Sequence, residues 1–243
     1  MDNTTGEMLL YKKLIQNSNT KEVWSLGMCK ELGQLSQGYK DHTKGTNTVF
    51  FMDHDQIKKI PPDCTITYER IVADYRPQKP DPYRVRMTVG GNLLNVPGDL
   101  STKTAELSTA KLLFNSVIST EGARFAGIDI KNMYLSSPMN RKEYMRIPVS
   151  LIPEEFMNKY KLHNKVYKGH IYVEIYRGMY GLPQAGKLAN NLLKKNLATC
   201  GYFECKHTPG LWKHVFRPIT FVLVVDDFGV KFIGSQQFQH LAD

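Results

Sequence analysis

The clearest patterning of apolar and polar positions in this chain of 243 residues lies around position 225. An apolar run, Phe221–Val225, is followed by Asp226 and Asp227, and a second β-rich run continues to Ile233. Aromatic and β-branched residues are typical of strands, so the two runs predict the arms of a hairpin. We expect Asp226, Asp227 and Gly229 to lie at its bend, which places two neighbouring carboxylates at a tight turn.

A second apolar strand, Phe125–Ile130, carries Asp129 near its end. Two helices are also predicted, one over residues 104–118 and one from Pro183 to about Ala198, where proline suits the first helical position. The apolar residues of the first helix recur at intervals of three and four and predict one buried face: Leu107, Ala110, Phe114, Val117 and Ile118.

Residues 84–89 alternate between apolar and polar side chains and end at a glycine pair, which predicts a strand followed by a turn. Residues 171–176 alternate in the same way. Strands and helices mixed in this order favour an α+β fold, with a mainly antiparallel sheet backed by the 104–118 and 183–198 helices.

The charge balance indicates a polyanionic partner. The chain has 32 Lys and Arg residues against 23 Asp and Glu residues, a formal net charge of +9. Excess positive charge favours binding to a phosphate backbone, although many basic proteins bind none.

The composition also indicates the cellular location of the protein. Its 42% apolar and 11% aromatic content is that of a globular protein. No apolar run approaches the roughly 20 residues of a membrane span, and the N-terminus has no secretory pattern. Four irregularly spaced cysteines do not form a disulfide framework. We therefore expect an intracellular protein, cytoplasmic or nuclear, that does not bind a membrane.

The three aspartates are the main candidates for chemistry. Neighbouring carboxylates repel each other unless a cation lies between them, and Mg²⁺ prefers such oxygen ligands. Asp129, Asp226 and Asp227 on two strands therefore suggest two-metal nucleotidyl transfer. The alternative for each aspartate is a structural role in a turn.

Further candidates are less specific. Arg84 and Arg86 lie two apart and would project from one strand face, where they could clamp a triphosphate or remain solvated. Gln184 follows a glycine-bearing turn at the start of a helix and can donate to a sugar hydroxyl or a phosphate. Tyr134 could pack against a nucleotide sugar or fill the core.

In this order, the segments resemble the reverse transcriptase of LTR retrotransposons, and the copia type more than the gypsy type. The shared segments are Arg-x-Arg (84–86), the Asp129 strand, Gly-x-Tyr-Gly-Leu-x-Gln-Ala (178–185) and Val-Asp-Asp (225–227). The resemblance covers roughly residues 60 to 240. Val224 departs from it, because most reverse transcriptases have tyrosine at this position.

The resemblance implies an RNA-directed DNA polymerase that adds dNTPs to a primer 3′-OH. Asp129, Asp226 and Asp227 would hold two Mg²⁺ or Mn²⁺ ions. The residues that would contact the incoming dNTP are Arg84, Arg86, Tyr134 (as the gate against the ribose 2′-OH) and Gln184.

The resemblance also implies a domain organisation and partners. Residues 1–60 would form an N-terminal extension of unknown role, and residues 61–243 a fingers and palm region, truncated before the thumb. The expected partners are an RNA or DNA template with its primer, a dNTP, and the remainder of a retrotransposon polyprotein.

Two alternatives remain at this point. One is a catalytically inactive, nucleic-acid-binding relic of such a polymerase. The other is a metal-dependent nucleotide-sugar transferase, which predicts an Asp-x-Asp loop together with a mononucleotide-binding unit at the N-terminus, a combination we do not find.

Overall fold

The structure, a computed structural model, describes residues 10–41 and 43–243. It divides into two compact units. Unit 1 comprises the residues up to Pro97 together with Tyr134–Ala185, and unit 2 comprises Gly98–Met133 together with Gly186–Asp243. Each unit is therefore built from two separate stretches of chain.

The described residues form seven α-helices: α1 (Tyr11–Gln16), α2 (Lys21–Leu35), α3 (His54–Lys58), α4 (Leu107–Ile118), α5 (Glu154–Lys159), α6 (Ala185–Thr199) and α7 (Ser235–Ala242). They also form twelve strands: β1 (Gly38–Tyr39), β2 (Thr43–Lys44), β3 (Val49–Phe51), β4 (Ile66–Tyr75), β5 (Tyr83–Val89), β6 (Ala123–Asp129), β7 (Pro138–Pro148), β8 (His170–Arg177), β9 (Tyr202–Glu204), β10 (Leu211–His214), β11 (Ile219–Val224) and β12 (Asp227–Ile233).

Unit 1 contains a five-stranded sheet in the order β3-β8-β7-β4-β5. Strands β4 and β7 run parallel, and the other neighbours are antiparallel. In β5 the alternation predicted from sequence is present: Val85, Met87 and Val89 are buried, while Arg84 and Arg86 alternate with them and are half-buried. The buried side chains of β5 join the unit 1 core, to which helix α2 also contributes.

Unit 2 contains an antiparallel five-stranded sheet in the order β6-β12-β11-β10-β9. One face of this sheet is covered by apolar side chains of α6 and α7. On α6, Leu193 and Leu197 lie one helical turn apart and pack against the cluster that contains Phe221 and Phe228. The sheet is thereby backed by helix α6, as expected from sequence.

The α+β class and the mainly antiparallel pairing are confirmed. The predicted buried face of the 104–118 helix is wrong, because within α4 the buried residue is Leu113. Phe114 and Ile118 are 51% and 81% exposed, and Leu107 is 70% exposed. Phe114 instead meets Phe125 edge-on, with ring centroids 5.0 Å apart.

The four cysteines are free thiols, as expected. Among the described residues, no helix combines the length and the apolar character needed to cross a membrane.

Candidate active site

The predicted hairpin is formed by β11 and β12, which are joined by a two-residue turn, Val225 and Asp226. Val224 pairs with Asp227, so Asp227 already belongs to β12. Gly229 lies inside β12 opposite Val222, and its predicted position at the bend is wrong. The turn is tighter than expected because only two residues separate the paired positions.

Val225 has a φ of 60°, a left-handed conformation that β-branched residues rarely adopt. A positive φ at the first of the two central residues is the pattern of a type II′ turn, which normally has glycine there. Strain of this kind persists only where the surrounding structure imposes it. The turn that presents Asp226 therefore stores conformational strain.

Asp129 lies directly opposite Asp227, because β6 pairs with β12 in antiparallel register. Directly opposed residues project from the same face of a sheet with Cβ atoms about 4.5–5.5 Å apart. Both side chains are exposed, and Asp226 is half-buried. The backbone N–H of Ile130 donates to the carbonyl oxygen of Asp226 over 3.0 Å. Unit 2 therefore brings the three predicted carboxylates to one end of one sheet.

Oxygen donors of this kind suit a hard divalent cation such as Mg²⁺ or Mn²⁺. The side chains of Asp129 and Asp227 are exposed, so a cation can reach their oxygens. Within residues 10–41 and 43–243, however, no three His, Cys, Asp or Glu side chains already form a group that could hold a metal ion. The donor chemistry fits Mg²⁺ or Mn²⁺, whereas the described residues do not form a closed ligand shell.

A cleft of about 490 Å³ within unit 2 adjoins one of the three carboxylates, that of Asp227. Asp227 and Lys111 supply the charged groups of its wall, and Phe114, Phe125 and Val224 supply apolar surface. An apolar cleft with few polar groups is typical of ligand sites.

In unit 1, Arg86 is part of an aromatic stack. Its guanidinium carbon lies 4.2 Å from the ring centroid of Tyr180, a cation–π geometry. The ring of Tyr180 meets that of Tyr134 edge-on at 4.9 Å. Two of the residues predicted to bind a dNTP are thus linked through Tyr180, which the sequence interpretation did not single out although it belongs to the 178–185 segment.

The glycines of this segment allow its backbone to lie against the edge of β5. Gly181 has a φ of 92°, and a Cβ atom there would stand 2.1 Å from the carbonyl oxygen of Val89. A Cβ atom on Gly91 would stand 2.0 Å from the carbonyl oxygen of Gly181. The backbone N–H of Val89 donates to the carbonyl oxygen of Tyr180 over 2.8 Å. Glycine is therefore required at 91 and 181 for the contact that holds Tyr180 beside Arg86.

The remaining predicted residues also lie in unit 1. Arg84 projects from β5 opposite Asp74 of β4. Gln184 precedes α6, which begins at Ala185 and not at Pro183. Its side-chain Nε2 donates to Glu143 Oε1 over 3.1 Å. Nothing in the sequence indicates this partner, which is far away along the chain.

Glu31 of α2 is a second carboxylate that sequence reasoning missed. Its Oε1 accepts a hydrogen bond of 2.8 Å from the backbone N–H of Met87. Burial raises the pKa of Glu31 to about 7, although this hydrogen bond and the charge of Arg86 act in the opposite direction. A carboxyl group that titrates near neutral pH therefore lies close to Arg86.

Comparisons of the chain with protein-family models and with curated proteins gave no match.

Proposed function

We propose that this chain provides the fingers and palm of an RNA-directed DNA polymerase similar to that of copia-type LTR retrotransposons. The observation that supports this most directly is the register that places Asp129 opposite Asp227, beside the strained turn that carries Asp226. Opposed carboxylates on one sheet face destabilise a fold, so their presence is best accounted for by a cationic ligand.

Asp129, Asp226 and Asp227 would hold two Mg²⁺ or Mn²⁺ ions. When bound, such ions lower the pKa of a primer 3′-OH and neutralise charge on the leaving pyrophosphate. The three carboxylates would fix the positions of the ions, and the backbone hydrogen bond from Ile130 to Asp226 limits the movement of the turn.

Residues of unit 1 would bind the dNTP. A guanidinium binds phosphate oxygens through paired N–H donors, and stacking on Tyr180 restricts the orientations of Arg86. Arg84, on the same face of β5, adds a second cation. Tyr134 is half-buried against the unit 1 core, which would make it a firm surface for the nucleotide sugar.

Primer extension on poly(rA)/oligo(dT) with Mg²⁺ or Mn²⁺ tests the proposal. We expect the parent chain to incorporate dTMP and the Asp226→Asn/Asp227→Asn variant to incorporate none. Asp55→Asn is a matched control, since Asp55 lies on the surface in a simple pair with Lys58 and should not affect incorporation.

Absence of incorporation by the parent would overturn the catalytic proposal. If such a chain still bound the template–primer with an affinity that falls steeply as salt rises, the non-catalytic alternative would take its place.

A further inference from the structure

Unit 1 contains a buried acid–amide pair whose hydrogen bonding is incomplete. The carboxyl group of Glu143 is 2% exposed. Its Oε1 accepts a hydrogen bond from Gln184 Nε2, but its Oε2 has no partner among the described residues. The Oε1 of Gln184 is likewise buried without a partner there. Buried polar atoms without hydrogen-bond partners destabilise a fold, so the pair needs an explanation.

The position of Glu143 makes a negative charge unfavourable. On β7 it lies on the same side as Met145 and Ile147, whose side chains are in the unit 1 core. Arg141 forms a long ion pair with Glu143, in which Nε stands 3.8 Å from Oε1, too far for a hydrogen bond. On the neighbouring strand, Glu174 pairs with Lys142 at 2.8 Å. Burial raises the pKa of Glu143, and Arg141 and Gln184 only partly oppose this.

A single proton on Glu143 would give both unpartnered oxygens a hydrogen-bond partner. A protonated carboxyl group has one O–H donor, and a primary amide has both donor and acceptor atoms. With the proton on Oε2, Glu143 can donate to Gln184 Oε1 while it accepts from Gln184 Nε2. The two side chains would then form a closed pair with two hydrogen bonds, and Gln184 would retain one Nε2–H to offer to another molecule.

We propose that Glu143, in its neutral form, is a positioning residue that fixes the amide of Gln184 through two hydrogen bonds, so that the remaining N–H of Gln184 points to the nucleotide in one orientation. The nucleotide part of this inference rests on the proposed function, and the state of the acid–amide pair does not. The amide is held as a donor, which suits an acceptor such as a sugar hydroxyl or phosphate oxygen of the dNTP.

Substitution of Glu143 separates this role from a purely structural one. Glu143→Gln supplies an N–H donor in place of the O–H, so it should keep KM for the dNTP within about twofold of the parent. Glu143→Leu fills the space but removes both hydrogen bonds, so it should raise KM about tenfold, the equivalent of one lost hydrogen bond, with a smaller change in kcat. KM for the parent should also rise at alkaline pH, whereas KM for Glu143→Gln should not.

A second measurement does not depend on activity. In chain labelled with ¹³C at the glutamate carboxyl carbon, the resonance missing from Glu143→Gln identifies Glu143. We expect its chemical shift at pH 7 to be that of a protonated carboxyl group. Circular dichroism and thermal unfolding of each variant show whether it is folded.

A carboxylate shift for Glu143 at pH 7, or an unchanged KM in a folded Glu143→Leu, would overturn this inference while the polymerase assignment stands. If the parent neither binds nor incorporates a dNTP but Glu143 is protonated, the acid–amide pair stands and the proposed function fails.

Discussion

The backbone N–H of Met87 and the carboxyl group of Glu31 are joined by a hydrogen bond of 2.8 Å across the free edge of β5. An edge strand has backbone N–H groups that find no acceptor on a neighbouring strand. Glu31 supplies the acceptor for one of them. Helix α2 is thereby attached to the strand that carries Arg84 and Arg86.

We expect Glu31 to make unit 1 less stable as the pH rises from about 4.5 to about 7. The pKa of Glu31 is raised in the fold to about 7 from an ordinary value of 4.5. Between these values the folded state binds more protons than the unfolded state, so the free energy of unfolding falls as the pH increases. Amide exchange of the β5 residues at pH 5 and pH 8 measures the effect.

Glu31→Gln keeps an acceptor for Met87 but cannot ionise, so it should reduce this pH dependence. Glu22→Gln, on the same helix, is the control and should leave it unchanged. If the free energy of unfolding changed equally with pH in the parent and in Glu31→Gln, the pH dependence would not be due to Glu31.

Unit 2 should respond to pH in the opposite direction, because of His214. Burial lowers the pKa of His214. Its Nδ1 accepts from the backbone N–H groups of Phe216 and Arg217, both at 3.2 Å, and therefore cannot carry a proton without losing them. Stability from the neutral ring is present above about pH 6.5 and is lost as the pH falls through the lower pKa of the folded state.

Amide exchange in β9 and β10, followed from pH 7.5 to pH 5, tests this. After correction for the intrinsic pH dependence of exchange, we expect lower protection factors at acid pH in the parent and in His207→Gln, since His207 is exposed. His214→Phe should lose stability at neutral pH but show a smaller acid response. If it responds to acid as strongly as the parent, another group is responsible.

The turn at Val225 should be more stable with glycine. Val225→Gly relieves the strain at a φ of 60° and should raise the free energy of unfolding of unit 2 by about 1 kcal/mol. Val224→Gly is the matched control, since both valines are 40% exposed but Val224 is in extended β11. At position 224 glycine should lower the free energy of unfolding by about 0.5–1 kcal/mol. Denaturant unfolding compares the two, and a loss of stability in both would show that the turn is not strained.

In the absence of divalent cations, the carboxylate of Asp129 should lower the free energy of unfolding of unit 2. Asp129→Asn removes one of two directly opposed carboxylates and should stabilise unit 2 by about 0.5 kcal/mol in EDTA. Mg²⁺ at about 100 times its Kd should stabilise the parent by about 2.7 kcal/mol and the variant much less. Thermal unfolding with and without Mg²⁺ measures both. Equal Mg²⁺ responses in the two chains would show that Asp129 does not belong to the proposed metal site.

The elements that sequence predicted well are those set by local patterns. The alternation around Arg84 and Arg86 and the apolar arms around the two aspartates each specify a strand and its faces. The class of fold follows from their order. Gly229 was misplaced because the number of residues in a turn depends on strand register, which local composition does not determine.

Other features depend on contacts that are distant along the chain. The periodicity of α4 identifies an apolar stripe but not the surface that covers it, and the structure buries Leu113 instead. Glu143 and Gln184 meet although they are 41 residues apart, and no spacing rule connects them. The same holds for Glu31 and Met87.

The interleaving of the two units affects how the chain can fold as it is synthesised. In the sheet of unit 2, β6 has β12 as its one neighbour, and 98 residues separate Asp129 from Asp227. At about 5–20 residues per second, a ribosome needs roughly 5–20 s to add them. Throughout that interval β6 has no strand partner, and the intervening stretch Tyr134–Ala185 is free to complete unit 1 first. Co-translational folding should therefore begin with unit 1, and unit 2, which carries Asp129, Asp226 and Asp227, should be the part of the nascent chain that relies on chaperones.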